Sequence, residues 1–112
     1  MRYMCLIHHD EAELAKAPPS LWGEYAAFNE AMAKAGVGVP GEGLEPSAKA
    51  TSVRVKAGKK SVLDGPYADT KEQFAGYFII DVPDLETAVD WAGRCPSAQY
   101  GVVEIRPIKV WK

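Results

Sequence analysis

With 112 residues, the sequence is long enough for a single domain, residues 1–112, that buries its own hydrophobic core. Hydrophobic residues make up 47% and charged residues 25%, which excludes wholesale disorder, and the net charge of -2 argues against direct binding of nucleic acid. No apolar stretch has the length of a membrane span and the first residues lack the form of a signal peptide, so we expect a cytoplasmic protein that makes no membrane contact.

The beginning of the chain predicts a buried strand and a long helix. The run RYMCLIHH, residues 2–9, is short and apolar, as is typical of a strand buried on both faces. Ser20 is the expected N-cap of the helix that follows, and Gly36 stands where a C-terminal cap glycine belongs. Apolar residues at steps of four, three and four form the stripe expected to face the core: Leu21, Tyr25, Phe28 and Met32.

The middle of the chain predicts an irregular segment and then a hairpin. Residues 37–46 are rich in glycine and proline, so any strand there must be short, bulged or at an edge. Residues 51–64 predict a hairpin, because Val53 and Val55 alternate with basic residues before an Ala57-Gly58 turn.

The last part predicts two strands with a helix between them. Residues 75–82 are dense in aromatic and β-branched side chains, which favour a strand, and residues 100–111 predict a closing strand. Asp84 is the expected cap of the intervening helix, and Pro96 follows its end. The inward stripe of this helix is expected to be Leu85, Ala88, Val89 and Ala92.

The predicted elements run in the order strand, helix, strand, hairpin, strand, helix and strand. This order predicts an α+β fold, specifically a ferredoxin-like (split βαβ) antiparallel sheet with an inserted β-hairpin. Both helices of such a domain pack on one face of the sheet, whereas the predicted strands are apolar on both faces. We therefore expect a homodimer in which two sheets meet face to face and enclose a cavity.

The segment DGPYADTKEQ, residues 64–73, interrupts the apolar strands with charged and turn-forming residues. Its glycine-proline pair favours a turn, and Asp69 with Glu72 three residues later has the pattern of a cap for one short helical turn. Asp64 and Lys71 are not required by such a turn, so they are candidates for a functional role.

A longer pattern extends from this segment to the end of the chain. VLDGPYADTKEQFAGYFIIDVPDLETAVDWAGRCPSAQYGVVEIRP contains Asp-Gly-Pro-aromatic, acid-Thr-Lys-Glu, Gly-aromatic and a closing Glu-x-Arg-Pro. Together with the MRYMCLI start and the GEGLEP loop, it resembles the DGPF-motif branch of the YCII-related proteins over nearly the whole chain. Tyr67 stands where the motif has Phe, and Ala75 where two glycines are usual. The resemblance implies a dimeric α/β barrel and an association with alternative sigma factors.

The broader YCII-type proteins resemble enzymes in which a histidine near the start of helix one is paired with an aspartate just after strand one. This resemblance implies that Asp10 is the counterpart of the aspartate. Tyr25, or its neighbour Glu24, stands where the histidine is expected, and tyrosine is a poor base near neutral pH. A catalytic imidazole would therefore have to come from elsewhere in the chain.

His8 and His9, at the end of the first strand, are the only two histidines. Neighbouring strand residues point to opposite faces, so at most one of them enters a cavity between two sheets. One hypothesis makes this histidine a general base whose tautomer is fixed by Asp10 or Asp64. The alternative is a solvated pair at a strand end, and the sequence leaves both open.

Candidate substrate-binding residues come from several elements. Glu104 and Arg106 lie two apart on the closing strand and therefore share a face. Arg106 could hold a substrate carboxylate there or pair with Glu104, and both alternatives remain open. The other candidates are Tyr25, Lys71 and Glu72.

We expect no metal site and no cofactor. Adjacent histidines on a strand diverge, and neither they nor the two cysteines have the spacing of metal ligands. Residues 37–46 lack the strand-glycine-helix context of a nucleotide site. Cys5 and Cys95 are expected to be buried free thiols.

Two functions fit these residues. The first is a cofactor-independent lyase-like, isomerase-like or dehydrochlorinase-like enzyme that moves a proton on a small organic acid in the cavity between the sheets. The second is a non-catalytic module that senses a small-molecule ligand in that cavity, with the sigma-factor association that the resemblance implies. The missing helix-one histidine counts against the enzyme, whereas a polar, charge-lined cavity counts against a purely structural role.

Overall fold

The structure is a computed structural model and describes residues 1–111. Its helices are α1 (Glu11–Leu14), α2 (Leu21–Ala35) and α3 (Leu85–Arg94). Its strands are β1 (Arg2–His9), β2 (Gly38–Val39), β3 (Thr51–Lys56), β4 (Lys59–Asp64), β5 (Gln73–Asp81) and β6 (Gly101–Pro107). Two 3-10 turns cover Ser47–Lys49 and Pro96–Gln99. The short helix α1 has no counterpart in the sequence-based prediction.

An antiparallel sheet of four strands forms the centre of the molecule, in the order β2-β5-β1-β6. A bulge shifts the pairing of β1 with β5 between Ile7 and His8. The short edge strand β2 is continued by the loop after it, where the N–H of Tyr77 donates to the carbonyl of Glu42 at 3.1 Å. The predicted α+β class, the antiparallel pairing and the weak edge strand are confirmed.

The core lies between one face of this sheet and the helices α2 and α3. Alternate residues of β1 and β5 are buried on that face: Tyr3, Cys5, Ile7, Phe78 and Ile80. Phe28 of α2 meets Phe78 edge to face, with ring centroids 5.4 Å apart, and Met32 is fully buried. Aromatic pairs and buried aliphatic side chains of this kind supply most of the stabilising free energy of a small domain.

The ends of α2 and α3 lie where the sequence predicts them. Gly36 closes α2 in the left-handed conformation with φ 66°, and Asp84 caps α3 by accepting a hydrogen bond from the N–H of Thr87 at 2.8 Å. Ser20 occupies the N-cap position of α2, but its side chain makes no capping hydrogen bond, because its backbone is already helical at φ -61° and ψ -15°. The residue type of Ser20 therefore predicted where α2 begins but not whether its side chain makes a capping hydrogen bond.

The predicted inward stripe of α3 is partly wrong. Ala88 and Ala92 are buried, whereas Leu85 and Val89 are 55% and 52% exposed. The buried side of α3 is completed by the half-buried ring of Trp91, which packs on Phe28. Small alanines let the helix approach the sheet closely. The alanine face of α3 is therefore the one that packs on the sheet, and the larger Leu85 and Val89 stay exposed.

The hairpin of β3 and β4 projects from the domain. Ala57 and Gly58 at its turn both have positive φ, 51° and 76°, as a two-residue hairpin turn requires. Of residues 51–64 only Ser52 is not exposed. The described chain is flat, 47 × 44 × 18 Å, with a radius of gyration of 16.0 Å, whereas a compact domain of this length has about 13 Å. The predicted hairpin is confirmed, and it packs little against its own domain.

Candidate functional site

The two histidines lie on opposite faces of the sheet, as strand alternation predicts. His9 faces the helices and is only 8% exposed. His8 lies on the face away from α2 and α3, which we call the open face. The apolar residues of the open face are half-buried in the single chain: Met4, Leu6, Tyr77 and Ile79. Each imidazole therefore has its own surroundings and needs a separate account.

His8 is linked to two charged residues of β6. Its Nε2 lies 3.2 Å from Oε1 of Glu104, and Oε2 of Glu104 accepts a hydrogen bond from Nε of Arg106 at 3.0 Å. The hydrogen bond from Arg106, with a further one from His8, holds the pKa of the Glu104 carboxyl below its ordinary value. Glu104 is therefore ionised at neutral pH and can orient the His8 ring. Of the two alternatives for Arg106, the single chain contains the ion pair with Glu104.

A cavity of about 490 Å³ lies beside His8, and we call it the corner cavity. Its walls come from the loop before β3, from β3 itself and from residues 66–74. Besides His8, its lining includes the half-buried Glu72 and two exposed aromatic residues, Tyr67 and Phe74. The ring centroids of His8 and Phe74 are 5.5 Å apart, so this end of the open face has an aromatic wall and a carboxylate.

The corner itself is built differently from the sequence-based prediction. No helical turn is present at residues 69–72, so the predicted capping pair of Asp69 and Glu72 is wrong. Instead Oγ1 of Thr70 donates to the carbonyl of Glu72 at 2.7 Å, and Nε2 of Gln73 donates to the carbonyl of Thr70. These side-chain bonds to backbone carbonyls hold residues 70–72 in a bend that leads directly into β5 at Gln73.

On the other face, a cavity of about 580 Å³ lies among α1, α2, β5 and the loop of residues 40–46, and we call it the helix-side cavity. His9 lines it, and within residues 1–111 its Nε2 has no hydrogen-bond partner. Burial lowers the pKa of His9, an effect that the nearby Glu11 carboxylate partly opposes. The imidazole is therefore neutral at pH 7.

Tyr25, the residue at the position of the helix-one histidine, also lines the helix-side cavity. Its hydroxyl is hydrogen-bonded to Oγ of Ser97 and lies 3.6 Å from Sγ of Cys95. Burial raises the pKa of Tyr25, so the phenol stays protonated at neutral pH. Tyr25 can therefore shape the cavity and hold α2 to the turn after α3, but it does not replace an imidazole as a base.

Three other candidates make no hydrogen bond to either imidazole within residues 1–111. Asp10 caps α1, where its Oδ1 accepts hydrogen bonds from the N–H groups of Ala12 at 3.0 Å and Glu13 at 3.3 Å. Asp64 and Lys71 are exposed, and neither lines the corner cavity or the helix-side cavity. Any role for them in a site depends on groups that approach from outside the single chain.

Sequence reasoning missed the carboxylate that contacts His8. Glu104 was considered only as a partner of Arg106, because the two share a strand. Its approach to His8 is diagonal across β1 and β6, since His8 pairs with Val102 and Leu6 with Glu104. The only signal in the sequence is that an outward carboxylate exists on the closing strand, and the strand register is needed to connect it to His8.

Residues 1–111 contain neither a cluster of metal-ligating side chains nor a helix suited to cross a membrane. No three side chains of His, Cys, Asp or Glu come together as ligands for a metal ion there. None of the helices in this range combines the length and the apolar character needed to span a bilayer.

Comparisons with known proteins cover the full length of the chain. The YCII-related domain matches residues 1–112. An uncharacterized protein of Rhizobium meliloti (strain 1021), R00369, is 31% identical over 118 residues, and the alignment spans 100% of this chain and 95% of that protein. The likeness therefore extends over the whole chain.

Proposed function

Because the chain belongs to the YCII-related family, we propose that it is a member of the DGPF-motif branch with a ferredoxin-like fold that pairs into a dimeric α/β barrel. The strand order β2-β5-β1-β6 and the hairpin between β2 and β5 support this fold. The sequence from Asp64 to Tyr67 supports the branch. Buried free thiols at Cys5 and Cys95 suit the reducing cytoplasm.

The proposed activity is cofactor-independent proton transfer on a small organic acid, as in a lyase or isomerase. The observation that carries it is the contact of His8 Nε2 with Glu104 Oε1 at 3.2 Å. A carboxylate that accepts from one ring nitrogen fixes the tautomer and stabilises the imidazolium, and the other nitrogen, Nδ1, takes the proton of the substrate. His8 is thus the general base, and Glu104 takes the orienting role that Asp10 or Asp64 was expected to have.

Substrate binding in this proposal uses the charged groups around His8. Arg106 is 70% exposed at its side chain, so its ion pair with Glu104 is weak and a substrate carboxylate can share the guanidinium. Glu72 lines the corner cavity next to His8 and limits the size of the acid that fits. Lys71 and Asp64 join the site only if a second copy folds over the corner.

A homodimer is part of this proposal, because a second copy would cover both the open face and the hairpin arm, residues 51–64. Val53, Val55 and Val62 on one face of the arm are 61%, 66% and 58% exposed. The arm carries four basic side chains and one acidic, whereas the rest of the chain has nine basic against fourteen acidic. An arm that is apolar on one face and basic overall suits the acidic body of a second copy.

The dimer is tested by sedimentation equilibrium at micromolar concentration. We expect twice the 12.2 kDa of one chain. Val62→Asp should dissociate the dimer, because it puts a charge on the apolar face of the arm. Ser61→Asp makes the same charge change on the opposite face and is the matched control. A wild-type protein that sediments as a single chain would refute the dimer.

The activity is tested by exchange of carbon-bound protons in D₂O, followed by proton NMR. Pyruvate, 2-oxoglutarate and levulinate serve as small acids with a proton next to a carbonyl group. We expect the wild type to accelerate exchange of at least one of them, and His8→Asn to reduce the rate by about 100-fold or more. Glu86→Gln on α3 is the control. Equal exchange in wild type and His8→Asn would remove His8 as the base.

The alternative function is a ligand-sensing or regulatory module, associated with alternative sigma factors as the sequence resemblance implies. The helix-side cavity favours it, because burial lowers the pKa of His9 and raises the pKa of Tyr25, which makes His9 a weaker base and Tyr25 a weaker acid. If the folded wild type exchanges none of the three acids but binds a small molecule beside His9, this alternative replaces the enzyme.

A further inference from the structure

The helix-side cavity is a binding site of a different chemical character from the open face. At about 580 Å³ it falls within the range of volumes that hold small organic ligands. Much of its wall is apolar or aromatic: Leu14, Leu21, Trp22, Phe28, Phe74 and Phe78. A ligand with an apolar or aromatic body would fit this wall, and its polar groups must match the few polar side chains present.

His9 supplies an unsatisfied polar atom at the inner end of the cavity. The residue is more than nine-tenths buried, and within residues 1–111 its Nε2 has no hydrogen-bond partner. A buried ring nitrogen without a partner destabilises the folded state, because it has lost its hydrogen bond to water. A ligand that donates a hydrogen bond to this neutral imidazole would remove that cost.

The charges around the cavity are negative. Its lining includes Glu11, Glu42 and Glu45, and no lysine or arginine among the residues the structure describes. Lys49 approaches Glu45 at 3.9 Å, so Glu45 is partly neutralised, whereas no ion pair is formed by Glu11 or Glu42 in the described chain. A cavity lined with these charges repels a small anion and attracts a cation.

Glu11 is the carboxylate best placed to select the ligand. It follows the Asp10 cap of α1, and its Oε1 accepts a hydrogen bond from the N–H of Ser47 at 2.9 Å, which fixes the carboxylate between α1 and the loop. Within residues 1–111, no hydrogen bond occupies its Oε2. The exposed ring of Trp22 lies in the same lining and can stack on an ammonium group.

We propose that the helix-side cavity binds an organic amine in its protonated form, with an apolar or aromatic body, through Glu11, Nε2 of His9 and the aromatic wall. The ammonium group donates to the Glu11 carboxylate and, after a small movement of the lining that uncovers this buried atom, to Nε2 of His9. The body fills the space against α2. This site goes beyond the proposed proton transfer, because it uses the opposite face of the sheet and neither Glu104 nor Arg106.

The selectivity of the site is tested by calorimetry with three probes of the same body and length: 4-phenylbutylammonium, 4-phenylbutan-1-ol and 4-phenylbutyrate. We expect the wild type to bind the ammonium at least about tenfold more tightly than the alcohol, which corresponds to about 1.4 kcal/mol. The carboxylate should bind most weakly. Equal or tighter binding of 4-phenylbutyrate, or no binding of any probe by the folded protein, would overturn the proposal.

Variants then assign the binding to this cavity. Glu11→Gln keeps an oxygen that accepts from the N–H of Ser47 but loses the charge, so we expect about a tenfold loss of affinity for the ammonium and an unchanged affinity for the alcohol. Glu13→Gln on the exposed side of α1 is the matched control. If Glu11→Gln fails to fold, Trp22→Leu serves instead, with the same preferential loss for the ammonium. A loss of the same size in Glu13→Gln would refute the role of Glu11.

The location is tested by NMR of the two imidazoles during the titration. Bound 4-phenylbutylammonium should shift the ring nitrogen resonances of His9 and leave those of His8 in place, because His8 lies on the open face. A shift confined to His8 would place the amine on the open face and exclude the helix-side site. Loss of proton exchange on the small acids would leave this result unaffected, so the two proposals fail separately.

Discussion

His8 and His9 are neighbours in the chain, yet one imidazole contacts a carboxylate at the surface and the other is buried, with no hydrogen-bond partner for its Nε2 among residues 1–111. The difference comes from the alternation of side chains along β1 and from which face the helices cover. The same residue type therefore lies in two different environments: one imidazole is the proposed base on the open face, and the other is a buried, neutral group on the helix side.

We expect the buried imidazole to make stability depend on pH. Burial lowers the pKa of His9 from 6.5, so the unfolded chain binds more protons than the folded chain as the pH falls below about 6.5. The free energy of unfolding should therefore decrease as the pH falls from 7 toward 5, and less so in His9→Gln. Urea unfolding at several pH values measures this difference. Equal pH dependence in the two proteins would contradict it.

A second expectation at this scale concerns the thiols. Burial raises the pKa of Cys5 to about 11, so very little thiolate exists at pH 8. The folded protein should react with iodoacetamide at pH 8 far more slowly at Cys5 than the protein unfolded in urea, and mass spectrometry of peptides quantifies each cysteine. Labelling of Cys5 at the same rate in both states would show that the residue is accessible.

At this scale the sequence predicted that the histidines diverge and that Cys5 and Cys95 are buried. It could not predict which histidine is buried or that Glu104 contacts His8. Those facts depend on strand register and on which face the helices cover, and both are fixed by contacts between residues almost a hundred positions apart.

At the scale of elements, α2 was predicted most completely, because its apolar stripe has a regular helical spacing. Leu21, Phe28 and Met32 are buried as expected, and Tyr25 is half-buried. α3 was predicted less well, since alanines rather than the larger Leu85 and Val89 approach the sheet. The corner before β5 was mispredicted because its pattern is compatible with a cap, whereas Thr70 and Gln73 donate hydrogen bonds to backbone carbonyls of the bend instead.

Met32→Ala tests the contribution of the α2 stripe. Met32 is fully buried, so its truncation should lower the free energy of unfolding by about 2–5 kcal/mol through lost burial and the cavity left behind. Glu30→Ala, which removes only a surface pair with Lys34, should have little effect. Chemical denaturation measures both. A small loss in Met32→Ala would mean that α2 packs loosely.

The hairpin turn offers a test at the same scale. Ala57 has φ 51°, which is unfavourable for alanine, whereas asparagine before glycine is the preferred pair in such turns. Ala57→Asn should therefore slow hydrogen exchange of the amides in β3 and β4. Lys56→Asn, one position earlier in the strand, is the control and should not slow exchange. Unchanged protection in Ala57→Asn would argue that contacts outside the turn hold the arm.

At the scale of the whole molecule, the chain is flatter and more extended than its length requires. The radius of gyration of 16.0 Å reflects an arm that leaves the domain and exposes valines on one face. A two-stranded hairpin is marginally stable by itself in water, so the arm would gain stability from the surface that it covers in the proposed dimer.

The dissociated variant Val62→Asp provides a test of this shape. Small-angle X-ray scattering of that single chain should give a radius of gyration near 16.0 Å if the arm keeps its direction. The Ser61→Asp control should scatter as the dimer. A value near about 13 Å for Val62→Asp would mean that the arm folds back on its own domain.

Gly76 on β5 has a consequence for how the helix-side cavity can evolve. A methyl group at this position would lie 2.5 Å from the carbonyl oxygen of Glu42 and 3.2 Å from Cα of Gly43, so any larger residue would push the loop of residues 40–46 off the strand. That loop is one wall of the cavity. Substitutions along α1 and α2 can therefore change the shape of the cavity, while position 76 of β5 accommodates only a hydrogen atom.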